Sequence, residues 1–127
     1  MSGIDYKGIR PLYTAIWQIL VPAHDNRGTP IPVGYHKEWD EHCRKITGGG
    51  MTIMSTAKGE WAKGGGSGVL REPMIPVILI ATAAQMNEIA RFTVSHYDQE
   101  EVLFFTLSYN AYLAEREDDN GKYTEDR

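Results

Sequence analysis

Apolar side chains recur at helical spacing between residues 82 and 97, where Met86, Ile89, Ala90, Thr93, Val94 and Tyr97 fall on one face. Thr82 and Gln85 stand just ahead of that face as a T-x-x-Q pair, the signature of a capping box that satisfies two helix-end N–H groups reciprocally. The pattern changes at His96–Asp98. Beyond it, Val102–Leu107 is apolar at nearly every position, which predicts a buried strand. A helix feeding such a strand is half of an α+β sandwich.

The other half is legible upstream. Leu12–Val21 is β-branched and aromatic with partial alternation, and Pro22 stops it, which predicts a first strand. Pro22–Gly34 is a long loop carrying proline and glycine, of the kind that is often functional or mobile. In Tyr35–Thr47, Trp39, Cys43 and Ile46 sit at i, i+4 and i+7, and Gly48 follows where a left-handed helix cap is needed. Met51–Trp61 and Pro73–Ala81 are the second and third strands, joined through Ala62–Arg71, whose KGGGSG run predicts a flexible hairpin connection. The order β-α-β-β-α-β predicts a ferredoxin-like sandwich, a four-stranded antiparallel sheet with two helices on one face. Pro76 conflicts with that order, because a proline in a central strand removes a ladder donor. Pairing that begins after Pro76, or a bulge, is expected there.

At 127 residues the chain is expected to be one domain, with an ordered core over about residues 12–113. Met1–Pro11 is polar and expected to be loosely held, and Ala114–Arg127 reads as an acidic flexible tail. The 42% apolar and 24% charged fractions are those of a soluble globular protein. A net charge of −4 argues against a nucleic-acid or anionic-membrane partner, since both need a cationic footprint. Met1–Arg10 carries charges where a signal peptide would be apolar, and the apolar run Ile75–Ala81 is far too short for a membrane span, so a cytoplasmic location is expected. Val102–Leu107 leaves neither face polar, yet it lies at a sheet edge. An apolar edge and an open sheet face are usually covered by another chain, which predicts a homo-oligomer.

Candidate chemistry is sparse. Cys43 is the only cysteine, which excludes an intrachain disulfide and a cysteine metal cage, and it falls on a helix's apolar stripe. His36 and His42, six apart on a helix, point to different faces, and His24 and His96 lie elsewhere, so no metal site is expected. The KGGGSG run lacks P-loop order, and neither a nucleophile elbow nor the aromatic strand signature of RNA-binding domains is present. What remains is Trp61 at the end of the second strand, Glu72 before the third and Glu100 before the last. A ring beside carboxylates suits a cationic small molecule, the ring facing the cation and the acids pairing with an ammonium group. His24-Asp25, opening the long loop, is a further candidate contact.

The run Gly59-x-Trp61, then Glu72 eleven residues on, then Gln85, Gln99 and Glu100-x-Val102, resembles the phage-encoded S-adenosylmethionine lyases, formerly called hydrolases. Val21-Pro22-Ala23 resembles the end of their first strand, and the likeness covers about Ile16–Leu107. This chain has Trp61 where the family has tyrosine and Glu100 where it has aspartate. The resemblance implies a reaction in which the substrate's own carboxylate attacks its γ-carbon, releasing methylthioadenosine and homoserine lactone without cofactor or metal. It also implies a nucleoside or nucleotide substrate, either S-adenosylmethionine or its AMP conjugate. Relatives degrade such a conjugate as a signal molecule in CRISPR defence. A homotrimer, and host cytoplasm for a phage-encoded protein, are implied as well. On this reading Glu72 holds the α-ammonium as the catalytic residue, Trp61 packs on the sulfonium or adenine, and Glu100 contacts the ligand or orders the pocket. His24 and Tyr97 would line the pocket. The alternative is a non-catalytic oligomer that binds a small nucleotide-like ligand.

Overall fold

The structure, a computed structural model, describes residues 3, 7–62 and 68–116. In chain order the elements are β1 (Ile9–Leu12), β2 (Ile16–Pro22), α1 (Val33–Thr47), β3 (Met51–Ile53), β4 (Ala57–Ala62), β5 (Val69–Ile80), α2 (Ala83–His96), β6 (Phe104–Ser108) and β7 (Ala111–Ala114). The protein is α+β, with two helices and antiparallel strand pairs throughout. The main sheet runs β3-β5-β2-β6, with β4 also on β5, so it has five strands and not the four expected.

Pro76 supplies the reason. Along one edge β5 pairs with β2 without interruption, from Ile80 opposite Ile16 to Met74 opposite Pro22. Along the other, β3 ends with Ile53 opposite Val77, and β4 starts with Ala57 opposite Met74. A strand residue directs its N–H and C=O to the same neighbour. The Pro76 carbonyl accepts from Met54 N–H at 2.9 Å, so its donorless nitrogen also faces this second edge. The expected second strand, Met51–Trp61, is therefore broken at Met54–Thr56, beside a proline that accepts from Met54 but has no N–H to return.

The helices pack on the sheet face carrying Ile19, Val21, Val77 and Leu79, against which Trp39, Cys43, Met86 and Ile89 complete a buried cluster. The α2 capping box forms as expected, with Gln85 N–H donating to Thr82 Oγ1 at 3.1 Å and Thr82 N–H to Gln85 Oε1 at 2.8 Å. Gln85 Nε2 also reaches the Ile46 carbonyl, joining the start of α2 to the end of α1. Gly48 closes α1 at φ 65°, a conformation that favours glycine. Between the helices, Trp39 Nε1 donates to Thr93 Oγ1 at 2.8 Å, and that hydroxyl donates to Ile89 O at 2.6 Å. Burial pushes the Cys43 thiol up to about 12, which keeps it a neutral core side chain.

Two differences lie at the chain's ends. β1 and β7 pair as a separate two-stranded ribbon, Leu12 opposite Ala111 through Ile9 opposite Ala114, although residues 9–11 are expected to be loosely held and no strand is expected at 111–114. Arg10 Nε meets Glu115 Oε1 at 2.8 Å, and Glu115 N–H donates to Gly8 O. Residues 117–127 of the expected tail lie outside the described residues, as do 63–67 of the hairpin connection. The hairpin itself is longer than expected, with Ala62 opposite Val69. Among the described residues no helix is long and apolar enough to cross a membrane.

Tyr97, 5% exposed, joins this core, and its hydroxyl lies 2.7 Å from His36 Nδ1. Burial, followed by the negative charge of Asp40, raises the Tyr97 pKa, so the phenol stays protonated. Burial lowers the His36 pKa from 6.5, with Asp40 opposing and His96 assisting. As pH falls through that value the unfolded chain therefore takes up the proton first, and stability is lost. Asp40, raised mainly by burial against Arg44 and His36, acts in the opposite sense closer to its ordinary value of 3.8.

Replacing Thr93 with valine strands the buried Trp39 N–H and is expected to cost about 1–3 kcal/mol, seen as a lower urea midpoint at unchanged slope. The wild-type midpoint should fall between about pH 7 and about pH 5.5, and fall less in His36→Gln. An equal fall in both proteins would assign the titration to another group.

Candidate functional site

The loop after β2 folds as a closed turn. Ala23 N–H donates to Pro73 O at 3.1 Å and Ile31 N–H to Ala23 O at 3.0 Å, anchoring its base to β5. Inside it, Asp25 N–H donates to Thr29 O, Gly28 N–H donates to Asp25 O, and Asp25 Oδ1 accepts from the N–H groups of Arg27 and Thr29. Gly28 sits at φ 82°. Asp25-Asn26-Arg27-Gly28 has the aspartate-first, glycine-last composition of a tight turn. The Thr29 N–H holds the Asp25 carboxyl below the usual range, with the Arg27 N–H and the charges of Arg27 and His24 helping and desolvation opposing.

Facing this turn is the C-terminus of α2. Gln99 N–H donates to Val94 O at 2.9 Å and Asp98 N–H to Ser95 O at 3.3 Å, the two bonds of a Schellman cap. Asp98 takes the left-handed position at φ 51° that glycine usually fills. Asn26 Nδ2 reaches across to the Asp98 carbonyl at 2.9 Å, and Gln99 Nε2 approaches Asn26 Oδ1 at 3.4 Å and Tyr97 O at 3.1 Å.

The third wall comes from β5. Glu72 stands opposite Gly59 of β4, and Leu70 opposite Trp61, so Trp61 and Glu72 share one face of this hairpin. A Cβ at Gly59 would lie 3.1 Å from Glu72 O, 3.2 Å from Met74 Cγ and 3.5 Å from Trp61 Nε1. The first two distances are tight, so glycine here lets β4 lie close against the Glu72–Met74 part of β5. Between turn, helix end and strand is a cleft of about 290 Å³, lined by His24, Asp25 and Asn26, by Leu70–Pro73, and by Gln99. A more open basin of about 380 Å³ adjoins it, where Lys58 and Arg71 flank Glu60 at 3.2 and 3.7 Å.

The structure therefore brings Glu72 and His24 into one cleft. Trp61, 38% exposed, lies beside Glu72 but is not among the cleft's lining residues. Glu100 is exposed just beyond Gln99, and Gln99 is the residue that lines the cleft. Tyr97 is a correction to the sequence reading: buried against His36, it supports the junction from beneath and is not a cleft wall. Asn26 and Arg71 were not singled out as contacts by sequence. The aspartate-to-glycine turn signal was available for Asn26, whereas Arg71 looks like any exposed strand arginine. Among the described residues no group of three histidine, cysteine or acidic side chains is arranged to hold a metal.

No protein-family model matches this chain, and no curated protein does. Solved structures do. A phage SAM lyase in complex with S-methyl-5'-thioadenosine superposes with a TM-score of 0.57 at 10% identity, over 80% of this chain and 90% of that one. The same kind of enzyme in its apo state gives a TM-score of 0.51 at 14% identity, over 90% and 94%. A Bacillus cereus protein related to NIF3 gives 0.50 at 15% identity, where 79% of this chain covers only 28% of that protein. At these identities the likeness is one of fold.

Proposed function

We propose that the chain is a lyase acting on S-adenosylmethionine or its AMP conjugate, and that the cleft beside Glu72 is its substrate site. The observation that carries this reading is the cleft itself, which gathers Glu72, Asp25, His24 and Gln99 on a fold similar to a phage SAM lyase seen with S-methyl-5'-thioadenosine. Its volume of about 290 Å³ is near the lower end for small-molecule sites. We read the main sheet as ferredoxin-like, with β3 and β4 as the two pieces of one interrupted strand.

In the reaction, a substrate carboxylate oxygen bonds to the γ-carbon as the bond from that carbon to the sulfonium sulfur breaks. The bonding pair leaves with sulfur, giving a neutral thioether and homoserine lactone, and no proton moves. The protein's task is to hold the chain in a folded attack conformer, an effect worth up to roughly 7–11 kcal/mol in well-oriented cases. It also keeps out water that would stabilise the separated charges. Glu72 is assigned to the α-ammonium. Trp61, on the same hairpin face, is assigned to the sulfonium or adenine, with Glu100 and His24 as further contacts.

The assembly we propose is a homotrimer formed through the open sheet face. Leu103, Phe105 and Leu107 alternate outward along the β6 edge at 47, 37 and 48% exposure, a row of apolar side chains that a second copy would cover.

Incubating pure protein with each compound should yield methylthioadenosine or its adenylated form by mass spectrometry. Glu72→Gln should lower kcat/KM about 10- to 100-fold without unfolding, the range expected for losing a charged hydrogen bond. No turnover of either compound by assembled protein would refute the lyase reading, and tight binding with unchanged ligand would identify a binding module instead. Sedimentation at micromolar concentration should give a trimer, and Phe105→Lys a smaller species. A monomeric wild type would remove the assembly proposal.

A further inference from the structure

We infer that Asn26 is a positioning residue: its side-chain amide locks the Ala23–Ile31 turn to the C-terminus of α2 and so sets the distance between the cleft's two polar walls. The bonds within the turn fix its shape, and Ala23 N–H on Pro73 O fixes its base to β5. Neither fixes where its tip lies relative to Gln99. Among the described residues, both side-chain hydrogen bonds that leave the tip belong to Asn26. Its Nδ2 donates to the Asp98 carbonyl at 2.9 Å, and its Oδ1 faces Gln99 Nε2 at 3.4 Å, across 72 and 73 residues of sequence.

The acceptor is suited to the task. Ser95 and Val94 carbonyls close the helix cap, while left-handed Asp98 directs its own carbonyl away from that ladder and toward the turn. One planar amide thus engages two successive residues of the helix-to-strand junction, by donation to a backbone group and by acceptance from a side chain. Gln99 is held a second time by the Tyr97 carbonyl, so the junction is the stiffer partner and the turn the one that would drift. His24 and Asp25, immediately before Asn26, would move with it, and Glu72 and Gln99 would not. The part of this inference that concerns ligand rests on the function proposed above.

The experiment compares wild type, Asn26→Ala, Asn26→Asp and Asp98→Gly by amide hydrogen exchange and by titration with S-methyl-5'-thioadenosine. In both Asn26 variants the amides of Asp25, Arg27, Gly28 and Thr29 should exchange about tenfold faster or more, with α2 amides and Tm unchanged. Affinity for S-methyl-5'-thioadenosine should fall about five- to tenfold, as for a wall displaced and not removed. Aspartate keeps the shape but loses the donor and sets a carboxylate against a carbonyl, so it should loosen the turn at least as much as alanine. Asp98→Gly keeps the backbone acceptor and should leave turn exchange at the wild-type rate. Wild-type exchange in Asn26→Ala would overturn the lock, and a loosened turn with unchanged affinity would overturn its role in positioning. Absence of S-methyl-5'-thioadenosine binding by wild type would count against the ligand reading, and the exchange rates would still decide whether Asn26 holds the turn.

Discussion

Pro76 has no N–H to give, and it lies in a strand paired along both edges. A chain can accommodate that only where one neighbour lets go. The neighbour that does so is the segment between β3 and β4, and the release at Met54–Thr56 has a consequence further along β5. Freed from a single straight ladder, β4 pairs with the Val69–Met74 end of β5 as a hairpin extending beyond the core. Glu72 and Trp61 sit on that hairpin. The hairpin that carries this wall of the proposed site thus begins where one donor is missing.

The helical layer is fixed by a different kind of constraint, the cost of burying polar groups without partners. Trp39 brings a large ring and one N–H into the interior, and Thr93 meets that N–H while passing its own proton back to the helix. Valine would fill the same space and leave the indole unsatisfied. The Tyr97–His36 pair repeats the arrangement at the other end of the helix contact, with burial keeping both groups neutral. Such pairs specify how α1 sits against α2 more sharply than apolar packing alone, because each has one acceptable partner.

The helices were legible because their signals are local. Thr82–Gln85 and Gly48 each act within one turn of chain, and the structure keeps both. The break in the second strand was not, since it depends on which edge of β5 the Pro76 nitrogen faces, a fact of register between distant segments. The β1–β7 ribbon failed for a related reason: Ile9–Leu12 and Ala111–Ala114 carry little periodicity alone, and only their pairing makes them strands. At the site, Glu72 and His24 were readable as chemistry, but their meeting in one cleft was not. Tyr97 shows the opposite error. Its place at the helix end suggested a wall, while its apolar ring and the His36 partner put it inside.

The loop after β2 illustrates why length is a poor guide to motion. Ten residues from Ala23 to Pro32 join β2 to α1, with proline and glycine among them, which is long for a connection. Most of the loop's polar backbone is nevertheless committed: Asp25 alone gathers three N–H donors, two on its carboxylate and one on its carbonyl. A segment so bonded has little left to gain by opening, so on the lyase reading proposed above it would act as a wall and not a lid. For a reaction whose nucleophile and leaving group both belong to the substrate, a fixed wall is the more useful device. Rate then depends on how narrowly the site restricts the substrate's conformers, and a rigid turn held to a rigid helix end restricts them without a closing step.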